Sequence, residues 1–391
     1  MSEPLQPPKK KWSWRSQAFR ALVYQVIAVA VIALGVLYLA NNTATNMRAR
    51  GIQSGFDFLN SSAGFDIGES LFPFDSAESY WRAYLVGMVN TLRVAIVGIV
   101  MTTVLGTVIG IGRFSRNALI RGLCVSYVEF FRNIPVLLQL LMWYLFFTEM
   151  LPASTEPLSV GPLYLSKGGI NFPIPVAGNE HYITLAGLLL GCVAAWLYRR
   201  WAQKHFEATG QVRSLYLVPA GIVLGGTLLG WILAGTPTAW NVPVKGDFAI
   251  ENGGSLSPEY LSLLLGLTIY TAAFVSEVVR GGIQSVSLGQ SEAASALGLS
   301  RGQTMRLVML PQALRVIIPP MTNQYLNLTK NSSLAVAIGY PDVVSIANTA
   351  INQTGRAVEC IAIIMLVYLS TSLSTSMLMN WYNARAAIKE R

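Results

Sequence analysis

The sequence predicts an all-α polytopic membrane protein, and three observations predict it. Of its 391 residues, 53% are hydrophobic and only 12% are charged, against about 25% charged in a soluble domain. Charge-free apolar runs recur along the chain, several of about 20 residues, the length a helix needs to cross a ~30 Å hydrocarbon core. Lysines and arginines also gather in alternate connecting segments, as oriented spans require. A soluble globular domain is excluded, and the net charge of +9 is accounted for by membrane orientation without a nucleic acid partner.

About eight spans are expected, and each has its own justification. The first, 22–40, follows Lys9, Lys10 and Lys11. It is long for the apolar region of a signal peptide, and no convincing cleavage site follows it, so it reads as an anchor. Segment 41–80 mixes Asp57, Asp66, Glu69, Asp75 and Glu78 with Phe and Gly, which indicates surface structure. The second span, 84–112, carries Gly106 and Gly110, and the third covers 123–148. The proline-rich stretch 149–182 follows. The fourth and fifth spans, 183–198 and 215–234, carry Gly187/Gly191, Gly221/Gly225 and Gly226/Gly230; small residues four apart let membrane helices approach closely. After the turn-rich stretch 235–258 come the sixth span, 260–280, the seventh, 314–328, and the eighth, 357–380. Pro319-Pro320 is expected to break the seventh.

Orientation follows from the cations. With the amino terminus inside, the cytoplasmic segments collect nineteen, and the outer segments seven: Arg48, Arg50, Arg82, Lys167, Lys245, Lys330 and Arg356. Both termini are then cytoplasmic, and so is loop 285–312. Segment 1–83 comprises the cytoplasmic amino terminus, the first span and an outer stretch. Segment 84–385 is the main transmembrane domain, with 183–234 as an inserted helical pair.

That loop is the most informative stretch. Ser287 with Gln290 and Ser300 with Gln303 have the form of capping boxes, and Gly298 suits the left-handed position that ends a helix. Two short helices are expected, the second stopping near Pro311. The first would expose Ala293, Ala294 and Ala296 to a partner's groove, with Glu292 in its first turn beside the helix dipole. No G-x-x-x-x-G-K-[ST] phosphate loop occurs, so energy from ATP would have to come from another subunit.

Few charges lie at membrane depth, where they are costly and face protein or water. Glu129/Arg132 and Glu277/Arg280 are spaced for ion pairs along their own helices. Arg93 has no acid three or four residues away; it either snorkels to the interface or offers a cation to a carboxylate. Gln139, Glu277, Lys330, Asn331 and Ser332 complete the candidate pathway residues. Cys124, Cys192 and Cys360 have no motif spacing, and His181 and His205 fall in different loops, so no metal site is indicated. A gradient-driven transporter or channel would show isolated midplane acids or repeated broken helices. A membrane enzyme would show clustered catalytic side chains.

Glu292-Ala293-Ala294, Gly298 and Val308-Met309-Leu310-Pro311 together resemble the loop signature of permeases of binding-protein-dependent ABC importers. Gly87 to Thr91-Leu92, Phe131 to Pro135 with Gln139-Leu140, Phe274 to Gly282, Leu310 to Ala313 with Pro319-Pro320, and Lys330 to Leu334 resemble the polar and general L-amino acid branch. The departures are Val308 for the usual Ile, Arg132-Asn133-Ile134-Pro135 for Arg-Gly-Thr-Pro, and Lys330-Asn331-Ser332-Ser333 for Lys-Asp-Thr-Ser. The resemblance implies a type I ABC importer permease fold, with a five-helix core at 84–112, 123–148, 260–280, 314–328 and 357–380. A leading helix and the inserted pair are added to it. It also implies that Glu292, Ala293, Ala294, Gly298, Leu310 and Pro311 couple to a homodimeric ATPase that holds ATP and Mg. A second, homologous permease and a periplasmic amino acid-binding protein would complete the assembly, in the inner membrane of a Gram-negative bacterium.

Overall fold

The computed structural model describes residues 14, 16–51, 54–176, 178–211, 213–236 and 238–386. The expected inside cations Lys9, Lys10, Lys11, Arg15, Lys389 and Arg391 lie outside the described residues. The helices are α1 (Gln17–Ala49), α2 (Tyr80–Gly112), α3 (Ala118–Asn133), α4 (Val136–Leu145), α5 (Asn179–Thr209) and α6 (Leu217–Leu233). They continue with α7 (Pro258–Gln284), α8 (Leu288–Ala296), the single turn α9 (Arg301–Gln303), α10 (Leu310–Asn331), α11 (Val343–Thr354) and α12 (Ala357–Ala386). Among the described residues, five helices are long and apolar enough to cross a membrane alone. Two bent pairs and the shorter α6 complete the series. All eight apolar segments of the sequence are therefore helical, in the expected order.

Two of them differ from expectation. The third is not one straight span: α3 meets the helix that begins at Val136 at 103°. Ile134 there is extended (φ −100°, ψ 128°), because a residue before proline is pushed out of the α region. The seventh is not broken by Pro319-Pro320, which both lie inside α10. Ile317, Ile318 and Met321 are buried around them, so packing holds the helix although two backbone donors are missing. The chain turns later, at left-handed Gly339 (φ 76°), and α11 follows, a helix expected to lie in an outer loop.

The chain forms two compact units. The first comprises 1–93 and 341–381. Its core joins Phe58, Tyr80 and Tyr84 to Val343, Ile346, Ala350 and Cys360. The Gly87–Thr91 motif is explained here: a Cβ on Gly87 would lie 2.9 Å from Ile346 and 3.1 Å from the Asp342 carbonyl oxygen. Thr91 Oγ1 accepts the Val343 N–H (3.2 Å). Segment 54–60 is strapped to the start of α12, since Arg356 donates to the Asp57 carboxylate and to the Gly55 carbonyl. The Gly55 N–H donates to Glu359 (2.7 Å).

The second unit comprises 94–340 and 382–391, with the largely buried α7 at its centre. Gly106 and Gly110 let α2 lie directly on α7: a Cβ on Gly106 would come 2.5 Å from Val275 and 2.9 Å from the Ala272 carbonyl oxygen. Gly187 and Gly191 meet Gly226 and Gly230 in the α5–α6 hairpin. Gly221 and Gly225 face open space, so that pair makes no helix contact. Among the described residues, the stretches expected to be only turn-rich carry eight short strands. β1 (Leu158–Val160), β2 (Leu163–Ser166) and β3 (Gly169–Phe172) form an antiparallel meander, and the ribbons β4 (Ile174–Pro175) with β5 (Trp240–Asn241) and β6 (Val244–Lys245) with β7 (Ile250–Glu251) follow. β8 (Gly254–Leu256) adds to β3, giving the order β1-β2-β3-β8. Runs this short among Pro and Gly carry no clear alternation, and the β3–β8 pairing joins residues about 80 positions apart.

Candidate functional site

Segment 285–312 builds its exposed helix from local chemistry. Ser287 occupies the N-cap position of α8, but its side chain makes no cap bond; Gln290 Oε1 instead accepts from Gln312 Nε2 (3.1 Å). The far end closes as a Schellman motif. Gly298 is left-handed (φ 75°), the Leu299 N–H donates to the Ala294 carbonyl (3.1 Å), and the Gly298 N–H donates to the Ser295 carbonyl (3.0 Å). These bonds satisfy carbonyls that a helix end otherwise leaves bare. Ser300 and Gln303 form the reciprocal capping box, with the Ser300 N–H on Gln303 Oε1 (2.9 Å) and the Gln303 N–H on Ser300 Oγ (3.4 Å).

Beyond it the chain does not stop at Pro311. Thr304–Met309 forms a π-helical turn that runs into α10, whose first turn holds Pro311. Proline lacks only a donor that a first turn leaves unused. Glu292, Ala293, Ala296 and Gly298 are exposed, Leu310 is 40% exposed, and Pro311 is half-buried. Ala294 is a correction: it is 3% exposed. Lying one turn from Gln290, it takes the face that Gln290 turns toward Gln312. Glu292 also falls beyond the first turn, so it does not serve the helix dipole. In their place Leu288 and Leu297, each 80% exposed, give α8 its apolar surface.

The depth charges are arranged differently from their sequence spacing. Glu129 is exposed and does not pair with Arg132, because Glu277 captures Arg132 from α7 (3.3 Å). Glu277 also holds Arg280 (2.9 Å) as expected. It receives Arg113, just past α2, at 2.6 Å, a partner that its place in a connecting segment concealed. Arg93 is no isolated cation: Glu69 of the outer segment meets it at 2.6 Å. No sequence signal linked those two, 24 positions apart.

Gln139 is 1% exposed, and its Nε2 donates to the Phe131 and Ile134 carbonyls, both at 2.9 Å. It ties the α3–α4 bend, so its amide donors are committed to backbone. Ser332 is buried and donates to the Thr329 carbonyl (2.6 Å). Asn331 is half-buried and Lys330 is exposed; the Lys330 carbonyl accepts from Ser333 Oγ (2.8 Å).

Apolar helices long enough to cross a membrane, joined to one short exposed helix, define a class, the multi-pass membrane protein. The sequence model of binding-protein-dependent transport system inner membrane components matches residues 98–388. The chain belongs to that family, which makes it a transport component and not an enzyme. Among relatives, the general L-amino acid transport system permease protein AapQ of Rhizobium johnstonii is 46% identical, covering 97% of this chain and 96% of that protein. The putative amino-acid ABC transporter permease protein YhdX of Escherichia coli is 44% identical over the full length of both. The glutamate/glutamine/aspartate/asparagine transport system permease protein BztB of Rhodobacter capsulatus is 37% identical, covering 95% of each chain.

Proposed function

We propose that this chain is the permease subunit of an ATP-driven importer that carries L-amino acids from periplasm to cytoplasm. The observation that carries the reading is α8: an exposed helix, rigidly ended at Gly298, on a chain without a phosphate loop. A helix seated in a partner's groove transmits motion, and here it would couple a separate, homodimeric ATPase, with its ATP and Mg, to the membrane bundle. Glu292, Ala293, Gly298, Leu310 and Pro311 are the coupling residues, with Ala294 supporting α8 from beneath. The printed activities of the relatives support amino acids as cargo. The family's dependence on a binding protein supports a periplasmic partner, and a second permease would complete the pore. The location is the bacterial inner membrane, with loop 285–312 on the cytoplasmic side.

Co-expression with a phosphate-loop ATPase, a second permease of the same family and a periplasmic binding protein tests the reading. The expected result is a co-purifying complex whose proteoliposomes take up labelled L-amino acids only with ATP and binding protein present. ATP-independent uptake driven by an ion gradient would overturn it in favour of a secondary transporter.

A further inference from the structure

Three arginines, one just past α2, one in α3 and one in α7, converge on one carboxylate. Arg113 Nη1 lies 2.6 Å from Glu277 Oε1, Arg132 Nη1 3.3 Å from the same oxygen, and Arg280 Nε 2.9 Å from Oε2. Among the described residues, the ion pairs of all three arginines end on Glu277. Glu129, the nearest acid along α3, is exposed and pairs with none of them. The cluster therefore keeps two positive charges beyond its one negative charge.

Its donors are also in surplus. The Arg113 side chain is nine-tenths buried, yet its Nε–H has no hydrogen-bond partner, an orphan that a native site normally satisfies. Arg132 and Arg280 are more open, their side chains 39% and 36% exposed, so an incoming group has access. The Phe274 ring, 5.3 Å from the Arg132 guanidinium, and Gln284, which accepts from Arg280 Nη1 (3.1 Å), hold two of the forks in place. Fixed guanidinium forks match the two oxygens of a carboxylate or phosphate. Excess charge at depth in a membrane protein marks a candidate functional position.

We infer that Arg113, Arg132 and Arg280, poised around Glu277, form an anion-binding site for a single carboxylate or phosphate group. Two sources carry that chemistry: the α-carboxylate of an amino acid, and the headgroup phosphate of an anionic lipid. The amino acid arm rests on the proposed import of amino acids; the lipid arm does not.

The test uses the assembled complex in nanodiscs of phosphatidylcholine, with and without phosphatidylglycerol, and two soluble probes, L-glutamine and its α-amide L-glutaminamide. Native mass spectrometry reads retained lipid. Phenylglyoxal labelling of Arg132 and Arg280 reads occupancy by either source. The expected result is at least about tenfold slower labelling with phosphatidylglycerol present, which assigns a headgroup phosphate, or with L-glutamine but not the amide, which assigns a carboxylate. In Arg132→Gln, protection of Arg280 by the same source is expected to fall about tenfold; Arg280→Lys, which keeps the charge, retains protection of Arg132. Both variants leave the buried Arg113–Glu277 pair intact, and co-purification with the partner subunits reports their folding. Equal labelling under all conditions in the wild type, or undiminished protection of Arg280 in Arg132→Gln, overturns the inference.

Discussion

Gly298 offers a perturbation whose cost is set by backbone alone. Its φ is +75°, and a Cβ added there would meet nothing within 4 Å, so a substitution creates no clash and any effect must come from the left-handed conformation. An L-residue pays about 1–2 kcal/mol in that region, asparagine less, and a β-branched residue more. A shift of that size lowers the closed-to-open ratio of the Schellman turn by about 5- to 30-fold, freeing the Ala294 and Ser295 carbonyls and the end of α8 in the open state. The expected order of ATPase co-purification and of uptake is wild type, then Gly298→Asn, then Gly298→Ala, then Gly298→Val. Gly302→Ala serves as control, because Gly302 also faces open space but has an ordinary φ, where the exchange stabilises by up to about 1 kcal/mol. Co-purification and uptake at wild-type levels in Gly298→Val, or equal losses in all three variants, would refute the claim that backbone handedness fixes the docking helix.

Gln139→Ala removes the amide that ties two carbonyls at the α3–α4 bend. The expected outcome is a stability loss of about 1–3 kcal/mol in thermal unfolding of the complex, with unchanged substrate affinity; a selective affinity change would return Gln139 to the pathway. Gly106→Ala places a methyl 2.5 Å from Val275 and is expected to destabilise by about 1–3 kcal/mol through overpacking. Gly225→Ala, in open space, is the neutral comparison in the same melt. The hydrogen bonds from Arg356 hold exposed Asp57 below the usual carboxylate range. Because the folded-state value is the depressed one, the strap contributes fully above the ordinary aspartate range and is lost as pH falls through the folded value. The difference in thermal midpoint between wild type and Asp57→Asn is expected to stay flat above about pH 5 and to close in more acidic buffer.

The sequence by itself determined the class of fold, the order of the eight apolar segments and the position of the exposed helix. Those features rest on local chemistry: charge-free length, serine and glycine caps, and the bias of cations between loops. Ser300–Gln303 and Gly298 were legible because each acts on backbone within a few residues. What only the tertiary structure decided involves partners far apart in the chain. Glu69 neutralises Arg93, β8 completes a sheet begun near residue 158, and α10 passes unbroken through two prolines because its buried face is packed. The same holds for Glu277, which spacing assigned to Arg280 alone. Helix packing delivers Arg113 and Arg132 to it as well, because a carboxylate shielded from water draws in every cation within reach, whatever the sequence distance.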